Sequence, residues 1–182
     1  AVQVTKTITG LFPNAGYSFK LFAFNSAGTA SGTLLGATTL QAPKPLAFTG
    51  SASPVTQTTA RIYGTINPQG DSTYWYIEYG TTTAYGTRTD TTYLGRGMVN
   101  VQVNKLIVGF QPNTRYYYRM CAYNSAGLTN AGGTSFVTLD RVLSLTSPVG
   151  GEGYQPGSTT NITWNAAAVD TLKIEYSSDN VN

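Results

Sequence analysis

The chain has 182 residues, of which 41% are hydrophobic and only 10% are charged, and its formal net charge is +3. Histidine is absent and Cys121 is the single cysteine, which excludes histidine-dependent nucleophilic catalysis, the usual zinc sites and a disulfide framework. The basic residues are scattered, which disfavours nucleic-acid binding, and no apolar run reaches the length of a membrane span. Abundant Tyr, Thr and Gly are typical of strands joined by tight turns, so we predict an all-β fold.

The first forty residues align without a gap with the residues 99 positions later, and many of the aligned residues are identical. Asn25-Ser26-Ala27-Gly28 reads NSAG, and so does Asn124-Ser125-Ala126-Gly127. Identities also run from Val2 on Val101 to Leu40 on Leu139. A period of this length is too long for a solenoid unit and is the size of a β-sandwich domain. The repeat therefore predicts a tandem array of β-sandwiches.

Alternating apolar residues and turn residues predict seven strands in the middle of the chain. They fall at residues 46–50, 58–66, 73–79, 84–90, 99–107, 114–124 and 133–139. Seven strands at this spacing predict an immunoglobulin-like topology.

Two segments of this middle part carry a family resemblance. Residues 106–127, LIVGFQPNTRYYYRMCAYNSAG, resemble the strand E to strand G region of a fibronectin type III domain. Residues 76–86, YIEYGTTTAYG, are similar to strands C and C′ of the bacterial and archaeal version of that domain. The resemblance implies a complete domain at 45–139 and only strands E, F and G of another at 1–41. It also implies that Tyr17 and Tyr116 are the tyrosine corners of the two copies.

Residues 142–182 resemble the opening of another immunoglobulin-like module of secreted bacterial proteins. The resemblance rests on Ser147-Pro148, on Gly150-Gly151-Glu152, on Gly157 and on Ile162-Thr163-Trp164. We predict that this stretch is the N-terminal part of a further β-sandwich. The chain is then either a segment of a longer multidomain protein or a subunit whose half-domains complete one another between copies, and we favour the first.

Strands C and F of the middle domain contain the most informative side chains. Period-two alternation directs one set toward the core, namely Trp75, Ile77, Tyr79, Tyr116, Tyr118, Met120 and Ala122. It directs the other set outward, namely Tyr74, Tyr76, Glu78, Tyr117, Arg119, Cys121 and Tyr123. We expect Arg119 to reach Glu78 across the two strands.

This outer face has two interpretations. Aromatic residues are good strand formers, and they are also enriched where a partner covers a surface. Phe22 and Phe24 occupy the corresponding face of the first copy, and the partner could be another copy, a neighbouring domain or a glycan. We favour self-contact, and we expect a partner to cover Cys121.

No cofactor or metal is predicted. The carboxylates are isolated in sequence, and Asp170, Asp179 and Asn180 lack the spacing of a calcium loop. We therefore expect no enzymatic activity. The sequence favours a non-catalytic structural or adhesive segment of a large prokaryotic extracellular or cell-surface protein, one that could assemble into a filament or sheath. The alternatives are accessory modules of a secreted carbohydrate-active enzyme or protease, and glycan binding by the tyrosine-rich face.

Overall fold

The computed structural model of the chain describes residues 3–177. Over that range it contains fifteen strands and no helix, so the predicted all-β fold is confirmed. Asp179, Asn180 and the end of the predicted module at 142–182 lie outside the described residues. The division into three modules stays a prediction.

The first unit consists of two short antiparallel strand pairs. Its strands are β1 (Gly16–Phe19), β2 (Phe22–Asn25), β3 (Gly28–Ser31) and β4 (Leu35–Thr38). β1 pairs with β4 and β2 pairs with β3, all antiparallel. Residues 3–15 form no strand, although strand E is expected there. A strand E pairs with a strand B in this fold, and residues 3–41 contain no strand B with which it could pair.

The middle domain is an immunoglobulin-like β-sandwich. Its strands are β5 (Leu46–Val55), β6 (Thr59–Asn67), β7 (Thr73–Gly80), β8 (Thr87–Arg88), β9 (Thr92–Gly95), β10 (Val101–Val108), β11 (Arg115–Asn124), β12 (Gly127–Asn130) and β13 (Thr134–Val137). One sheet has the order β10-β6-β5. The other is built on β11, which pairs with β7 along one edge and with β12 and then β13 along the other.

The core of the middle domain lies between these two sheets. Alternation along β7 and β11 directs the predicted inward set toward the core. Tyr79 is half-buried against the core, and Ile77, Met120 and Ala122 have no exposed surface. They pack against Ile62 and Ile66 of the facing sheet. Burial of one such side chain stabilises the fold by about 1.5–3 kcal/mol, so this cluster accounts for much of the domain's stability.

The structure differs from the predicted strands in three places, and the first is β9 (Thr92–Gly95), which was not predicted. Residues 84–90 were predicted to form one strand, but only Thr87–Arg88 does so, because Tyr85 and Gly86 have φ of 63° and 87° and turn the chain. The last predicted strand is preceded by a further strand, β12, which begins at Gly127, the last residue of the NSAG motif. The remaining six predicted strands are all present.

The last unit contains the antiparallel pair β14 (Val142–Ser147) and β15 (Thr163–Ala167). The Glu152 carboxylate accepts hydrogen bonds of 2.6 and 2.7 Å from the N–H groups of Val149 and Gly150 in the connection between them. The apolar side chains of this last unit are largely exposed, among them Leu143, Leu145, Trp164, Ile174 and Tyr176.

The sequence repeat is reproduced in backbone detail. The Tyr17 hydroxyl accepts a 2.7 Å hydrogen bond from the Phe12 N–H, and the Tyr116 hydroxyl accepts a 3.0 Å bond from the Gln111 N–H. These are the tyrosine-corner contacts that the resemblance implies. The F–G register also repeats, since Phe22 lies opposite Ser31 as its counterpart Cys121 lies opposite Asn130.

Candidate functional site

The pairing of β7 with β11 arranges the outer face of the middle domain in rows across the sheet. Tyr74 lies opposite Tyr123, Tyr76 opposite Cys121 and Glu78 opposite Arg119. β9 extends the first row, because Tyr93 lies opposite Tyr74. The predicted outward set therefore shares one face, and the structure divides it into three environments.

The exposed part of this face is the tyrosine row, made of Tyr74, Tyr93 and Tyr123. The ring centroids of Tyr74 and Tyr123 are 5.5 Å apart, and those of Tyr74 and Tyr93 are 5.1 Å apart. Their exposed fractions are 39% for Tyr74, 55% for Tyr93 and 36% for Tyr123. Such ring contacts hold the three side chains in place, so the row is a preformed aromatic surface.

The second row is covered by the chain itself. Cys121 has no exposed surface and Tyr76 is 7% exposed, while the Arg88 guanidinium lies 5.6 Å from the Tyr76 ring. Burial raises the pKa of the Cys121 thiol to about 11, and the nearby Glu78 carboxylate adds to the shift. Cys121 is buried by its own domain, so its burial needs no partner, and the expectation that a partner covers this face stays a prediction. Slow thiol labelling would therefore say nothing about a partner.

The third row is an ion pair. An Arg119 guanidinium nitrogen lies 2.7 Å from a Glu78 carboxylate oxygen, and both side chains are about a quarter exposed. The prediction that Arg119 reaches Glu78 is confirmed. The ring of Tyr85 lies 4.7 Å from the same guanidinium, so the loop after β7 folds back over this row. Tyr117, at the end of the face, lies opposite Gly80 and is half-buried.

Phe22 and Phe24 belong to the separate β2–β3 sheet of the first unit. They are 57% and 77% exposed, and the Lys20 ammonium lies 5.4 Å from the Phe22 ring. Their role as part of an interaction face stays a prediction.

Sequence reasoning did not find Tyr93 or Tyr85. Tyr93 stands in a short Thr-Thr-Tyr-Leu stretch bounded by Gly95, and this β-branched and aromatic composition is the signal that could have revealed β9. Tyr85 lies in a turn with positive φ, for which periodicity carries no information.

A second assembly of residues joins the first unit to the middle domain. The Asn124 amide donates a 2.8 Å hydrogen bond to the Pro43 carbonyl, and the Gln41 amide donates a 3.3 Å bond to the Ser125 carbonyl. The Asp71 carboxylate in turn accepts bonds of 3.1 and 2.6 Å from the Ser125 N–H and hydroxyl. The NSAG turn of the middle domain thus holds the linker that enters it.

The same junction has an aromatic contact. The Arg96 guanidinium lies 4.4 Å from the Phe12 ring of the first unit. A cleft of about 480 Å³ runs along this contact, and residues of both units line it. We call these contacts, together with those of Asn124 and Gln41, the junction.

Among residues 3–177 no three Cys, Asp or Glu side chains come together as metal ligands. Within the same range, no helix is long and apolar enough to cross a bilayer.

No protein-family model matches the chain, and no curated protein matches its sequence. Among solved structures, the sensor domain of the anti-sigma factor RsgI4 from Pseudobacteroides cellulosolvens is 19% identical, with 58% of this chain and 99% of that chain covered and a TM-score of 0.46. Domains d3–d4 of the rat CD45 extracellular region are 16% identical, with 74% and 69% covered and a TM-score of 0.42. The FN1–FN3 domains of chicken CNTN1 are 19% identical, with 71% and 43% covered and a TM-score of 0.35.

Proposed function

We propose that the chain is a non-catalytic structural segment of a large extracellular or cell-surface protein, in which it sets the spacing and orientation of successive β-sandwiches. The observation that carries this proposal is the junction. A flexible connection between domains is expected to be rich in Gly and Ser and free of contacts. Here the linker is instead held by the Asn124–Pro43 and Gln41–Ser125 hydrogen bonds. The Arg96–Phe12 contact fixes a second point.

Composition supports a structural role outside the cell. The chain has no histidine and only 10% charged residues, so its surface is made polar chiefly by Thr, Ser, Asn and Tyr. Such a surface suits a spacer better than a catalytic domain, which needs convergent titratable groups.

The geometry of the junction is tested by measuring one distance. Spin labels are attached at Thr29→Cys in β3 and Gln102→Cys in β10, while Cys121 is buried and stays unlabelled. A fixed junction gives a narrow distance distribution by pulsed electron paramagnetic resonance.

Variants in the junction complete this test. Arg96→Ala and Asn124→Ala should broaden the distribution. Arg61→Ala, which removes a half-buried arginine bonded to Asn104 elsewhere on the domain, should leave it narrow. A broad distribution in the unmodified chain would refute the proposed spacing function.

The tyrosine row favours glycan binding as a second candidate function. Three partly exposed tyrosines present ring faces and hydroxyls together, which is the chemistry that sugars use for stacking and hydrogen bonding. Titration with a panel of polysaccharides should then change tyrosine fluorescence, and Tyr93→Ala should remove the response. If no member of the panel changes the fluorescence, this candidate fails.

A further inference from the structure

The tyrosine row continues onto a fourth strand of its sheet. Tyr74 lies between Tyr93 and Tyr123, and Leu128 of β12 lies opposite Tyr123 on the far side. Leu128 is 42% exposed, and none of these four side chains is charged. The row is therefore an uncharged strip of rings and aliphatic surface, which suits stacking against the apolar faces of sugar rings.

Arg88 lies next to this strip on the same face. The strand register places Arg88 opposite Glu78, but its guanidinium carbon lies 5.6 Å from the centre of the Tyr76 ring. Tyr76 is two residues closer than Glu78 to Tyr74 along β7, so the Arg88 side chain extends toward the tyrosine row. Arg88 is exposed, so its charge is available to a ligand that lies on the row.

The positive charge of Arg88 is not neutralised by its neighbours. The carboxylate oxygen Oε2 of Glu78 lies 2.7 Å from each of two guanidinium nitrogens of Arg119, so Glu78 is already paired. Among residues 3–177, no carboxylate forms an ion pair with Arg88, and this includes Asp90, the closest one in sequence. A charge without an ion-pair partner favours an anionic ligand.

An open cleft lies beyond Arg88, on the side away from the tyrosine row. Its volume is about 400 Å³, and its lining includes Glu78, Tyr85, Thr87 and Arg88. A strand rises by about 3.3 Å per residue, so Tyr74 and Glu78 lie about 13 Å apart along β7. The row, Arg88 and the cleft therefore form one elongated site, whose length suits an oligosaccharide better than a single sugar.

The loop that forms this cleft is held in place by the sheet. The Tyr85 ring lies 4.7 Å from the Arg119 guanidinium, and a Cβ atom at Gly133 would collide with the Tyr85 hydroxyl. Tyr85 also has φ of 63°, a strained conformation for a bulky residue that persists only where surrounding contacts fix it. Because the loop is fixed in advance, binding of a ligand costs little ordering of the chain.

We propose, building on the glycan-binding candidate above, that this face binds an acidic polysaccharide. Its sugar rings stack on the tyrosine row, and a uronate carboxylate binds the Arg88 guanidinium. Guanidinium and carboxylate groups form paired, charge-assisted hydrogen bonds, which are among the strong ones in proteins. A neutral glycan would leave Arg88 without a partner, and a polyanion without sugar rings would leave the tyrosine row unused. The two groups together therefore select the ligand.

Titration calorimetry with polygalacturonate and with its methyl ester tests the role of the carboxylate. The ester keeps the sugar rings but carries no charge, so we expect the unmodified chain to bind the acid form on the order of ten-fold more tightly. Alginate and its methyl ester repeat the comparison with other uronates. Polyglutamate, a polyanion without sugar rings, should bind no more tightly than the esters.

Two pairs of variants assign the contacts. Arg88→Gln should bind the acid and ester forms equally, while Arg61→Gln, which removes the same charge from the opposite sheet, should keep the preference for the acid. Tyr93→Ala should weaken the binding of both forms alike. Tyr63→Ala, which removes a partly exposed tyrosine of the opposite sheet, should change neither. Circular dichroism of the four variants checks that each one is folded.

The results distinguish acid recognition from the functions proposed above. Binding of the acid forms no tighter than that of the esters, or a preference for the acid that survives in Arg88→Gln, would overturn acid recognition by Arg88 and leave glycan binding intact. Binding of polyglutamate or oligo-dT as tight as that of polygalacturonate would overturn the proposal in favour of a general polyanion or nucleic-acid surface. If no acidic or neutral polysaccharide binds, glycan binding itself fails, whereas the spacing function, which depends on the junction, is unaffected.

Discussion

The Asn124 side-chain amide donates a 2.8 Å hydrogen bond to the Pro43 carbonyl, while its carbonyl oxygen accepts a 2.9 Å bond from the Ala126 N–H. One asparagine thus shapes the NSAG turn and fastens the linker to it. In the first copy, the Asn25 side chain accepts the same turn hydrogen bond from the Ala27 N–H. The two copies therefore share the turn contact, and Asn124 adds the contact to the linker.

Alanine variants of Asn124 and Asn25 separate the linker contact from the turn contact. Asn124→Ala should lower the free energy of unfolding of the middle domain by about 1–3 kcal/mol, because the buried Asn124 side chain loses its hydrogen bonds to the Pro43 carbonyl and the Ala126 N–H. Urea denaturation followed by circular dichroism measures this. Asn25→Ala, at the exposed counterpart, is the control and should change stability much less. Equal losses in the two variants would show that the linker contact contributes nothing.

Much of the middle domain could be predicted from the sequence, because its inner face obeys strict alternation. Trp75, Ile77 and Met120 are buried as period two requires. Alternation assigns a side chain to a face but does not say what lies above that face. Tyr76 and Cys121 point outward and are nevertheless buried, and the Arg88 guanidinium lies over the Tyr76 ring.

The junction could not be predicted for a related reason. The Arg96–Phe12 contact joins two residues that are far apart in sequence, and neither stands in a periodic pattern. Phe12 also has no aromatic counterpart in the second copy, where Gln111 takes its place. The repeat therefore identifies the turn at Asn124 but not the contacts made to it by other parts of the chain.

Gly80 allows the loop after β7 to fold over the sheet. A Cβ atom at this position would lie 1.5 Å from the Tyr85 carbonyl oxygen, so Gly80→Ala must displace the loop. We expect a loss of about 1–3 kcal/mol in the free energy of unfolding, typical of overpacking. Gly97→Ala is the matched control, since nothing lies within 4 Å of its Cβ, and it should stay within about 0.5 kcal/mol of the parent. The comparison is made by thermal and urea unfolding, and a neutral Gly80→Ala would contradict the close approach.

The Arg119–Glu78 pair is the most sheltered ion pair among the described residues. A double-mutant cycle with Arg119→Ala and Glu78→Ala should give a coupling free energy of about 1 kcal/mol, at the upper end for partly exposed pairs, because the Tyr85 ring also shields the guanidinium. Addition of 1 M salt should reduce the coupling, since both charges are about a quarter exposed. Additive single variants would show that the pair contributes no stability.

Cys121 makes stability depend on pH in the alkaline range. Its thiol has a pKa of about 11 in the folded chain, raised by burial from an ordinary value of 9.0. Between pH 9 and 11 the unfolded chain loses this proton while the folded chain keeps it, so the stabilising effect is complete below pH 9 and is lost as pH rises. The slope contributed by this one group reaches about 1.4 kcal/mol per pH unit.

The prediction is checked by comparing unfolding free energies of the parent and Cys121→Ser from pH 7 to 10.5. Serine keeps a group of similar size that does not ionise in this range, so the difference between the two curves isolates the thiol from the tyrosines and lysines that also titrate. The difference should be constant up to pH 9 and should then shift in favour of Cys121→Ser as the pH rises. The same burial predicts slow alkylation of the folded parent at pH 8, and rapid labelling there would contradict the buried position of Cys121 opposite Tyr76.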